Sequence, residues 1–287
     1  MLAGLWVFIS ERFPLKVTIP LTLVLFYASL FSARMPVLEV LLGWLSVFFA
    51  LFSIRIADDL SDFDADKVHH PERALSLGRV TPGDLRRILA GSVLIIILLN
   101  IATWSLPGVV VTAGAIAYYA LFFSRLKHRV PVVSRPLFSN VIFGVVSLYA
   151  GLLDEGITVS HWLLSIFIYT ATIAHEWAHS AHGPEEGFQG LPSYPKIIGP
   201  RQSAVVACAL FGLSGVLGWL FWMEHTRPVI FGLLLSLTSL HIIFLAVPLV
   251  RSPRRANARP FYVYGFTFFI FPLMGLCIES LIGKALS

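Results

Sequence analysis

The sequence predicts an all-α polytopic membrane protein with nine transmembrane helices and a cytosolic amino terminus. Of the 287 residues, 57% are hydrophobic and only 13% are charged, whereas about 25% charged residues is usual in a soluble domain. Nine apolar stretches each approach the roughly 20 residues that a helix needs to cross about 30 Å of hydrocarbon. Loops that are rich in Lys and Arg alternate along the chain with loops that contain few of them. We expect one membrane domain over residues 1–287.

The nine predicted spans are separated by Pro, Gly and charged residues, which is typical of loops. They are 17–33, 36–57, 86–105, 107–124, 137–153, 160–180, 203–223, 227–249 and 261–283. Residues 1–14, with three aromatic side chains around a Glu-Arg pair, resemble an interfacial amphipathic segment.

The distribution of Lys and Arg predicts the orientation. Seventeen of them lie in the amino-terminal tail and in the loops after spans two, four, six and eight, and three lie on the opposite side. Because cytoplasmic loops carry the excess of basic residues, these loops and the amino terminus are expected in the cytosol, with the carboxyl terminus outside.

Composition also argues against several classes of protein. Cys208 and Cys277 each lie in an apolar stretch and form no disulfide or zinc-finger framework. The net charge of +5 is explained by topology, so we expect no nucleic-acid partner. The last basic loop, residues 251–259, lacks interleaved aromatics and favours contact with membrane lipid headgroups.

An acidic cluster directly follows the second apolar stretch. Five of the 16 acidic residues fall within nine positions: Asp58, Asp59, Asp62, Asp64 and Asp66. Helical spacing places three of the carboxylates on one face, either with Asp58 or with Asp59 as the first member. A cation would relieve their repulsion, and carboxylate oxygens without Cys nearby favour a hard ion such as Mg²⁺.

A second polar stretch ends the sixth predicted span. Glu176 lies inside an otherwise apolar helix and is therefore a functional candidate. Glu185 and Glu186 follow in the loop. The four-helix offset between the two acidic stretches suggests an internal repeat with two acidic sites facing one cavity.

A zinc-protease pattern overlaps the same helix. Residues 175–179 read H-E-W-A-H, and His182 extends the face by one more turn. A zinc site would leave the Asp cluster unexplained, so imidazoles that hydrogen-bond or help to hold a diphosphate are the preferred interpretation.

Together these features resemble the UbiA superfamily of intramembrane prenyltransferases. Its first motif is N-D-x-x-D-x-x-x-D; here Asp58 takes the Asn position, and Asp59, Asp62 and Asp66 take the Asp positions. Residues 70–75, H-P-E-R-A-L, are similar to the N-P-x-R-P-L that follows it.

Two further stretches contribute to the resemblance. Residues 124–127, S-R-L-K, are similar to the family's Y-S-x-x-L-K. The second family motif, D-x-x-x-D, is degenerate here. Its second position falls on Glu186 and its first on His182, so that Glu176 or Glu185 would supply the missing carboxylate.

The resemblance implies that the nine transmembrane helices surround a central cavity. It also implies Mg²⁺-dependent transfer of a prenyl group from a prenyl diphosphate, C10–C20 or longer, to a small lipophilic or aromatic acceptor, by default a quinone precursor. We assign metal binding to Asp58, Asp59, Asp62, Asp66, Glu185 and Glu186. Diphosphate binding is assigned to Arg73, Lys67, Lys127 and His182. Catalysis is assigned to Asp59, Asp62, Lys127, Asn140 and Glu176.

Three alternatives stay open. The first is a membrane terpene cyclase of the same superfamily, in which the substrate's own chain captures the cation. The others are an intramembrane zinc protease built on H-E-W-A-H and a non-catalytic lipid-binding or transport bundle.

Overall fold

The computed structural model describes residues 2–31, 35–103, 105–154, 156–183 and 193–286, and in these ranges it is all-helical, without a β-strand. The α-helices are α1 Leu2–Arg12, α2 Leu15–Tyr27, α3 Val37–Ser61, α4 Phe63–His69, α5 Pro82–Ala102, α6 Leu106–Leu121, α7 Arg135–Ser139, α8 Val141–Leu153, α9 Val159–His179, α10 Tyr194–Ile198, α11 Pro200–Glu224, α12 Val229–Arg251 and α13 Arg255–Leu286. A π-helical turn, Phe122–Leu126, continues α6, and a 3₁₀ turn, Val132–Ser134, precedes α7.

Seven helical segments of the described chain are long and apolar enough to cross a membrane. They are Val37–Ser61, Pro82–Ala102, Leu106–Leu126, Val132–Leu153, Pro200–Glu224, Val229–Arg251 and Arg255–Gly283. They coincide with predicted spans two to five and seven to nine, so these seven stretches agree with the sequence-based prediction.

Helices α2 and α9 account for the other two predicted spans. Helix α2 has 13 residues, which at 1.5 Å per residue extend about 20 Å, short of the roughly 30 Å of a hydrocarbon core. The apolar residues that follow Tyr27 lie outside the helix. Helix α9 has 21 residues, but its His, Ser, Thr and Glu side chains make it more polar than the seven others.

The polar residues before α5 and α6 explain where these helices begin. Thr81 forms a capping box with Asp84: the Asp84 amide donates to Thr81 Oγ1 at 3.1 Å, and the Thr81 amide donates to Asp84 Oδ2 at 3.3 Å. Ser105 Oγ accepts from the Gly108 amide at 3.1 Å. These bonds satisfy amide groups that have no partner within the helix.

The chain divides into two compact units. The first comprises the described residues of 1–26 and 34–129. Within it α3 packs along α5, and α5 packs on α6. The fully buried Asn100 donates from Nδ2 to Ser46 Oγ at 3.2 Å and to the Ile96 carbonyl at 2.8 Å, which ties α5 to α3 inside an apolar contact.

The second unit comprises the described residues of 27–33 and 130–287. Helix α9 is its centre, packed against α8, α11 and α13. Phe167, Phe211 and Phe268 are almost fully buried and meet in an aromatic core. Ser214 Oγ donates to the Phe167 carbonyl at 2.9 Å, which fixes α11 on α9. An apolar groove of about 600 Å³ lies between α11, α12 and α13.

Candidate functional site

Three acidic side chains follow one another at four-residue intervals where α3 meets α4. Although α3 ends at Ser61, the Asp62 amide donates to the Asp58 carbonyl at 3.0 Å and the Asp66 amide to the Asp62 carbonyl at 2.8 Å. The helical bonding therefore continues across the junction. Residues four apart share a helix face, so Asp58, Asp62 and Asp66 form one row, called here the acidic row.

Lys127 joins the first two members of the acidic row. Its Nζ donates to Asp58 Oδ1 at 2.6 Å and to Asp62 Oδ2 at 2.7 Å, and its side chain is only 11% exposed. Burial acts to lower the pKa of Lys127, but the charges of Asp58 and Asp62 outweigh it and hold the pKa above its ordinary value. The ammonium is therefore charged at neutral pH.

The π-helical turn sets the position of Lys127. The Lys127 amide donates to the Phe122 carbonyl at 2.8 Å, a bond between residues five positions apart. Such turns are rare among helices as a whole, but those that occur are often found at functional sites. Ser61 Oγ donates to the Phe123 carbonyl at 3.1 Å and lies 3.2 Å from His128 Nε2, so the turn is fastened to the end of α3.

Arg73 neutralises the third member of the acidic row. Its guanidinium donates to Asp66 Oδ2 at 2.5 Å. Both side chains are mostly buried, at 21% and 13% exposed. Arg73 lies on the loop between α4 and α5, where the Leu77 amide donates to the Arg73 carbonyl at 2.9 Å and the Arg79 amide to the Ala74 carbonyl at 2.9 Å.

Asp59 has a different environment from the acidic row. It is 2% exposed, and its carboxylate accepts from Arg12 Nε at 3.0 Å, from an Arg12 terminal nitrogen at 2.7 Å and from Arg55. Two guanidinium groups thus surround one buried carboxylate. Asp59 is thus the ion-pair partner of two arginines. Of the two spacings that the sequence allowed, the one that begins with Asp58 describes the acidic row.

Lys67, assigned to the diphosphate, is exposed, and its Nζ lies 4.1 Å from the centre of the Phe63 ring. The ion pairs of the acidic row are made by Lys127, Arg73 and Arg55, the last at 3.4 Å from Asp58. The structure places Lys67 near the acidic segment without an ion pair to it among the described residues.

Glu176 is the centre of a second polar cluster, on α9. Its Oε2 accepts from Asn140 Nδ2 at 2.5 Å and from Ser139 Oγ at 3.4 Å, and its Oε1 accepts from the Tyr194 hydroxyl at 3.1 Å. Trp177 stacks on Tyr194 with ring centres 4.3 Å apart. The two catalytic candidates of this stretch, Glu176 and Asn140, are thus direct partners.

The environment of Tyr194 keeps its hydroxyl protonated. Burial and the adjacent Glu176 carboxylate both raise the pKa of Tyr194 far above its ordinary value. The hydroxyl is therefore a donor to Glu176 throughout the physiological range.

The two histidines of H-E-W-A-H both pack against the ring of Tyr262. His175 stacks on Tyr262, with ring centres 4.3 Å apart, and His179 meets the same ring edge-on at 4.7 Å. His182 Nδ1 lies 2.9 Å from the Gly183 carbonyl. The Glu176 carboxylate is held by Asn140 and Tyr194, which argues against a zinc-protease site. Glu185 and Glu186 lie outside the described residues.

The acidic row fits Mg²⁺ by its donor chemistry. No group of three or more His, Cys, Asp or Glu side chains in the described ranges is arranged to hold a metal ion. Mg²⁺ in proteins, however, commonly takes one or two carboxylates and completes its shell with water and substrate phosphate oxygens. Asp58 and Asp62 already converge on one cation, the Lys127 ammonium, at 2.6 and 2.7 Å, so two carboxylate oxygens are placed to share a hard ion.

Sequence reasoning did not assign Arg12, Arg55 or Tyr194 to the site. Arg55 carried a usable signal, since it precedes Asp59 by four residues on a helix. Arg12 is 47 residues from Asp59 and had no signal beyond its charge. Tyr194 was part of the stretch matched to the second motif, but its contact with Glu176 spans a loop that spacing cannot resolve.

Comparisons with known proteins give a consistent result. The sequence profile of the UbiA prenyltransferase family matches residues 17–275. The digeranylgeranylglyceryl phosphate synthase of Methanobrevibacter smithii is 26% identical over 223 residues, covering 73% of this chain and 76% of that protein. The synthase of the same name from Natronomonas pharaonis is 27% identical over 176 residues, covering 57% and 62%.

Solved structures share the fold. A structure described as giving insight into digeranylgeranylglyceryl phosphate synthase in membranes superposes with a TM-score of 0.73 at 18% identity, covering 98% of this chain and 99% of that chain. A UbiA homolog from Archaeoglobus fulgidus bound to GPP and Mg²⁺ gives a TM-score of 0.59 at 14% identity, covering 91% and 98%.

Proposed function

The chain belongs to the UbiA prenyltransferase family, and on this premise we propose that it transfers a prenyl group from a prenyl diphosphate to a glyceryl phosphate acceptor. The acceptor comes from the relatives' name, digeranylgeranylglyceryl phosphate synthase, which denotes a glyceryl phosphate carrying two geranylgeranyl groups. It replaces the aromatic acceptor expected from the sequence. The terpene cyclase and the lipid-binding bundle have no support of this kind.

The observation that carries the proposal is the acidic row with its basic partners. Asp58 and Asp62 meet at Lys127, and Asp66 meets Arg73. Carboxylates paired with basic side chains suit a substrate that brings both a hard metal and an anionic group. We assign Mg²⁺ binding to Asp58, Asp62 and Asp66, and diphosphate binding to Lys127 and Arg73.

The reaction needs a leaving group that is stabilised as its bond to carbon breaks. Bound Mg²⁺ would supply charge neutralisation to the diphosphate. Lys127 and Arg73 would donate charge-assisted hydrogen bonds to its oxygens. The bond between the prenyl C1 and the diphosphate oxygen breaks with both electrons leaving on diphosphate, and a bond forms between C1 and the acceptor hydroxyl oxygen.

The hydroxyl proton must leave the acceptor in the same reaction. Glu176 is our candidate base because it is a carboxylate in an apolar helix, positioned by Asn140 and Tyr194. Positioned carboxylates of this kind contribute about 10²–10⁴-fold as general bases. Asn140 would then act through Glu176 as a positioning residue.

The membrane arrangement is part of the proposal. To the seven apolar helices we add α9, and α2 together with the apolar residues that follow it, as crossings, giving nine in one domain over residues 1–287. The seventeen-to-three bias of basic residues supports a cytosolic amino terminus and an active site facing the cytosol.

The test is acceptor-dependent diphosphate release. The purified protein, in detergent with Mg²⁺, would receive C10, C15 or C20 prenyl diphosphate, and either a glyceryl phosphate bearing one prenyl ether chain or an aromatic acid. Release only with the glyceryl phosphate would support the proposal. Release without any acceptor would favour the cyclase, and release only with the aromatic acid would restore the earlier expectation.

Two variants make the assay specific to the acidic row. Asp62→Ala should abolish release, because it removes one of the two carboxylates that converge on Lys127. Lys16→Ala removes an exposed charge from α2 and should leave release unchanged. Equal activity in both variants would contradict the assignment.

A further inference from the structure

Helix α1 lies outside every motif of the sequence, yet it contacts two segments of the proposed diphosphate site. Its Arg12 donates to Asp59, the residue next to the first member of the acidic row, at 2.7 and 3.0 Å. Its Glu11 accepts through Oε2 from the Ala74 amide at 2.9 Å. Ala74 directly follows Arg73.

A third contact brings the backbone of α1 directly against the backbone of the loop between α4 and α5. Gly4 lies so close to the Arg79 carbonyl that a Cβ at position 4 would overlap that oxygen. Only glycine permits this approach of α1 to the loop between α4 and α5. Phe8, between Gly4 and Glu11, is 1% exposed, so the helix is also anchored by burial.

We propose that α1 is a clamp for the diphosphate site, with Arg12, Glu11 and Gly4 as positioning residues. The clamp joins the acidic row, through Asp59, to the loop that carries Arg73. It rests on the proposed function for the role of the row and of Arg73, and adds a determinant that lies outside the family-like motifs.

The first half of the clamp acts on the acidic row. Asp59 is buried and shares its carboxylate between Arg12 and Arg55. Consecutive helical residues are rotated by a fixed angle, so holding Asp59 also fixes the direction in which Asp58 and Asp62 point. Arg55 is on α3 itself, whereas Arg12 ties α3 to another element.

The second half acts on Arg73. A backbone amide donating to a carboxylate is a charge-assisted hydrogen bond, and here it holds the residue after Arg73 against α1. Without it, the loop that places the Arg73 guanidinium beside Asp66 loses one of its two contacts with α1. The consequence would appear as weaker diphosphate binding.

Two variants test the clamp at independent contacts. Glu11→Ala removes one hydrogen bond from an exposed side chain, and Gly4→Ala forces α1 away from the loop. Each should raise the KM for prenyl diphosphate. For Glu11→Ala the increase should be about three- to tenfold, the range expected from losing one hydrogen bond of this strength. The acceptor KM should stay unchanged. Gly91→Ala is the matched control, because nothing lies within 4 Å of a Cβ there.

A purely structural role is distinguished by two further measurements. Titration with inorganic diphosphate and Mg²⁺ should show the same loss of affinity in both variants without any turnover. In an Arg73→Ala background, Glu11→Ala should have no further effect on diphosphate affinity, since the two residues act through one contact. Arg12→Lys should bind diphosphate more tightly than Arg12→Ala.

The outcomes separate the clamp from the proposed function. Wild-type protein that binds diphosphate but transfers no prenyl group would overturn only the proposed function. A lowered melting temperature in Glu11→Ala and Gly4→Ala with wild-type diphosphate affinity would overturn the clamp. Wild-type protein that binds no diphosphate would overturn both.

Discussion

Replacing Lys127 by Met should have opposite effects on Mg²⁺ binding and on catalysis. Lys127 makes two short ion-pair hydrogen bonds, to carboxylates that are 28% and 35% exposed. Such bonds contribute about 1.5–3 kcal/mol when well shielded, and partial exposure reduces this to about 1 kcal/mol each. A total of about 2 kcal/mol corresponds to roughly a 30-fold change in affinity.

The variant should therefore bind Mg²⁺ about 30-fold more tightly, because the ammonium no longer competes for Asp58 and Asp62. Its kcat/KM should fall by a similar or larger factor, because the donor that we propose for the diphosphate is lost. Without Mg²⁺ the two unpaired carboxylates repel each other, so the melting temperature should drop and recover as Mg²⁺ is added.

The assay is the melting temperature measured against Mg²⁺ concentration, with kcat/KM from diphosphate release. Lys127→Arg keeps the charge and should stay near wild type in Mg²⁺ dependence, and Lys16→Met controls for the loss of one charge elsewhere. Identical Mg²⁺ dependence in wild type and Lys127→Met would refute the competition between the ammonium and the metal.

Three other predictions concern single side chains. Asp59→Ala leaves two guanidinium groups without their buried partner and should cost about 3 kcal/mol of unfolding free energy, measured by denaturation; a changed Mg²⁺ half-saturation with normal stability would make Asp59 a ligand instead. Because the pKa of Lys127 is raised, its ion pairs contribute fully to stability below the ordinary lysine pKa and are lost only as pH rises past the raised value. The melting temperatures of wild type and Lys127→Arg should therefore change in parallel from about pH 7 to 10. Divergence of the two in that range would contradict the raised pKa. Glu176→Gln should lower kcat about 100-fold or more while leaving diphosphate affinity unchanged, and equal loss of both would remove its role as base.

Hydropathy was sufficient for the helices that depend on composition alone. The seven apolar helices follow from it because a membrane helix must be about 20 residues long and almost uncharged. It could not give the length of α2, because counting apolar residues does not say whether those after Tyr27 are helical. It also could not identify the π-helical turn, which differs from an α-helix by one backbone bond and yet decides where Lys127 points.

Contacts between distant residues were the second limit. Spacing predicted that carboxylates would share a face, and left two rows possible. The choice between the two rows depends on Arg12, which is 47 residues from Asp59 in the sequence. Arg12 packs against the side of the helix on which Asp59 lies and pairs with it. The partnership of Asn140 with Glu176 spans 36 residues and likewise arises from helix packing. The assigned roles of these residues stay predictions.

The pairing of charges in the acidic row also suggests how substrate could enter without leaving a charge unpaired. Separating Lys127 from Asp58 and Asp62 costs about 2 kcal/mol, so withdrawal of the basic side chains from their carboxylates without a replacement is unfavourable. A metal-bound diphosphate offers an exchange, because it carries a cation for Asp58 and Asp62 and an anion for Lys127 and Arg73. Each carboxylate then exchanges a basic side chain for the metal ion, and each basic side chain exchanges a carboxylate for the diphosphate. If this exchange occurs, diphosphate without Mg²⁺ should bind poorly, because it would take the basic side chains and leave the acidic row without a cation.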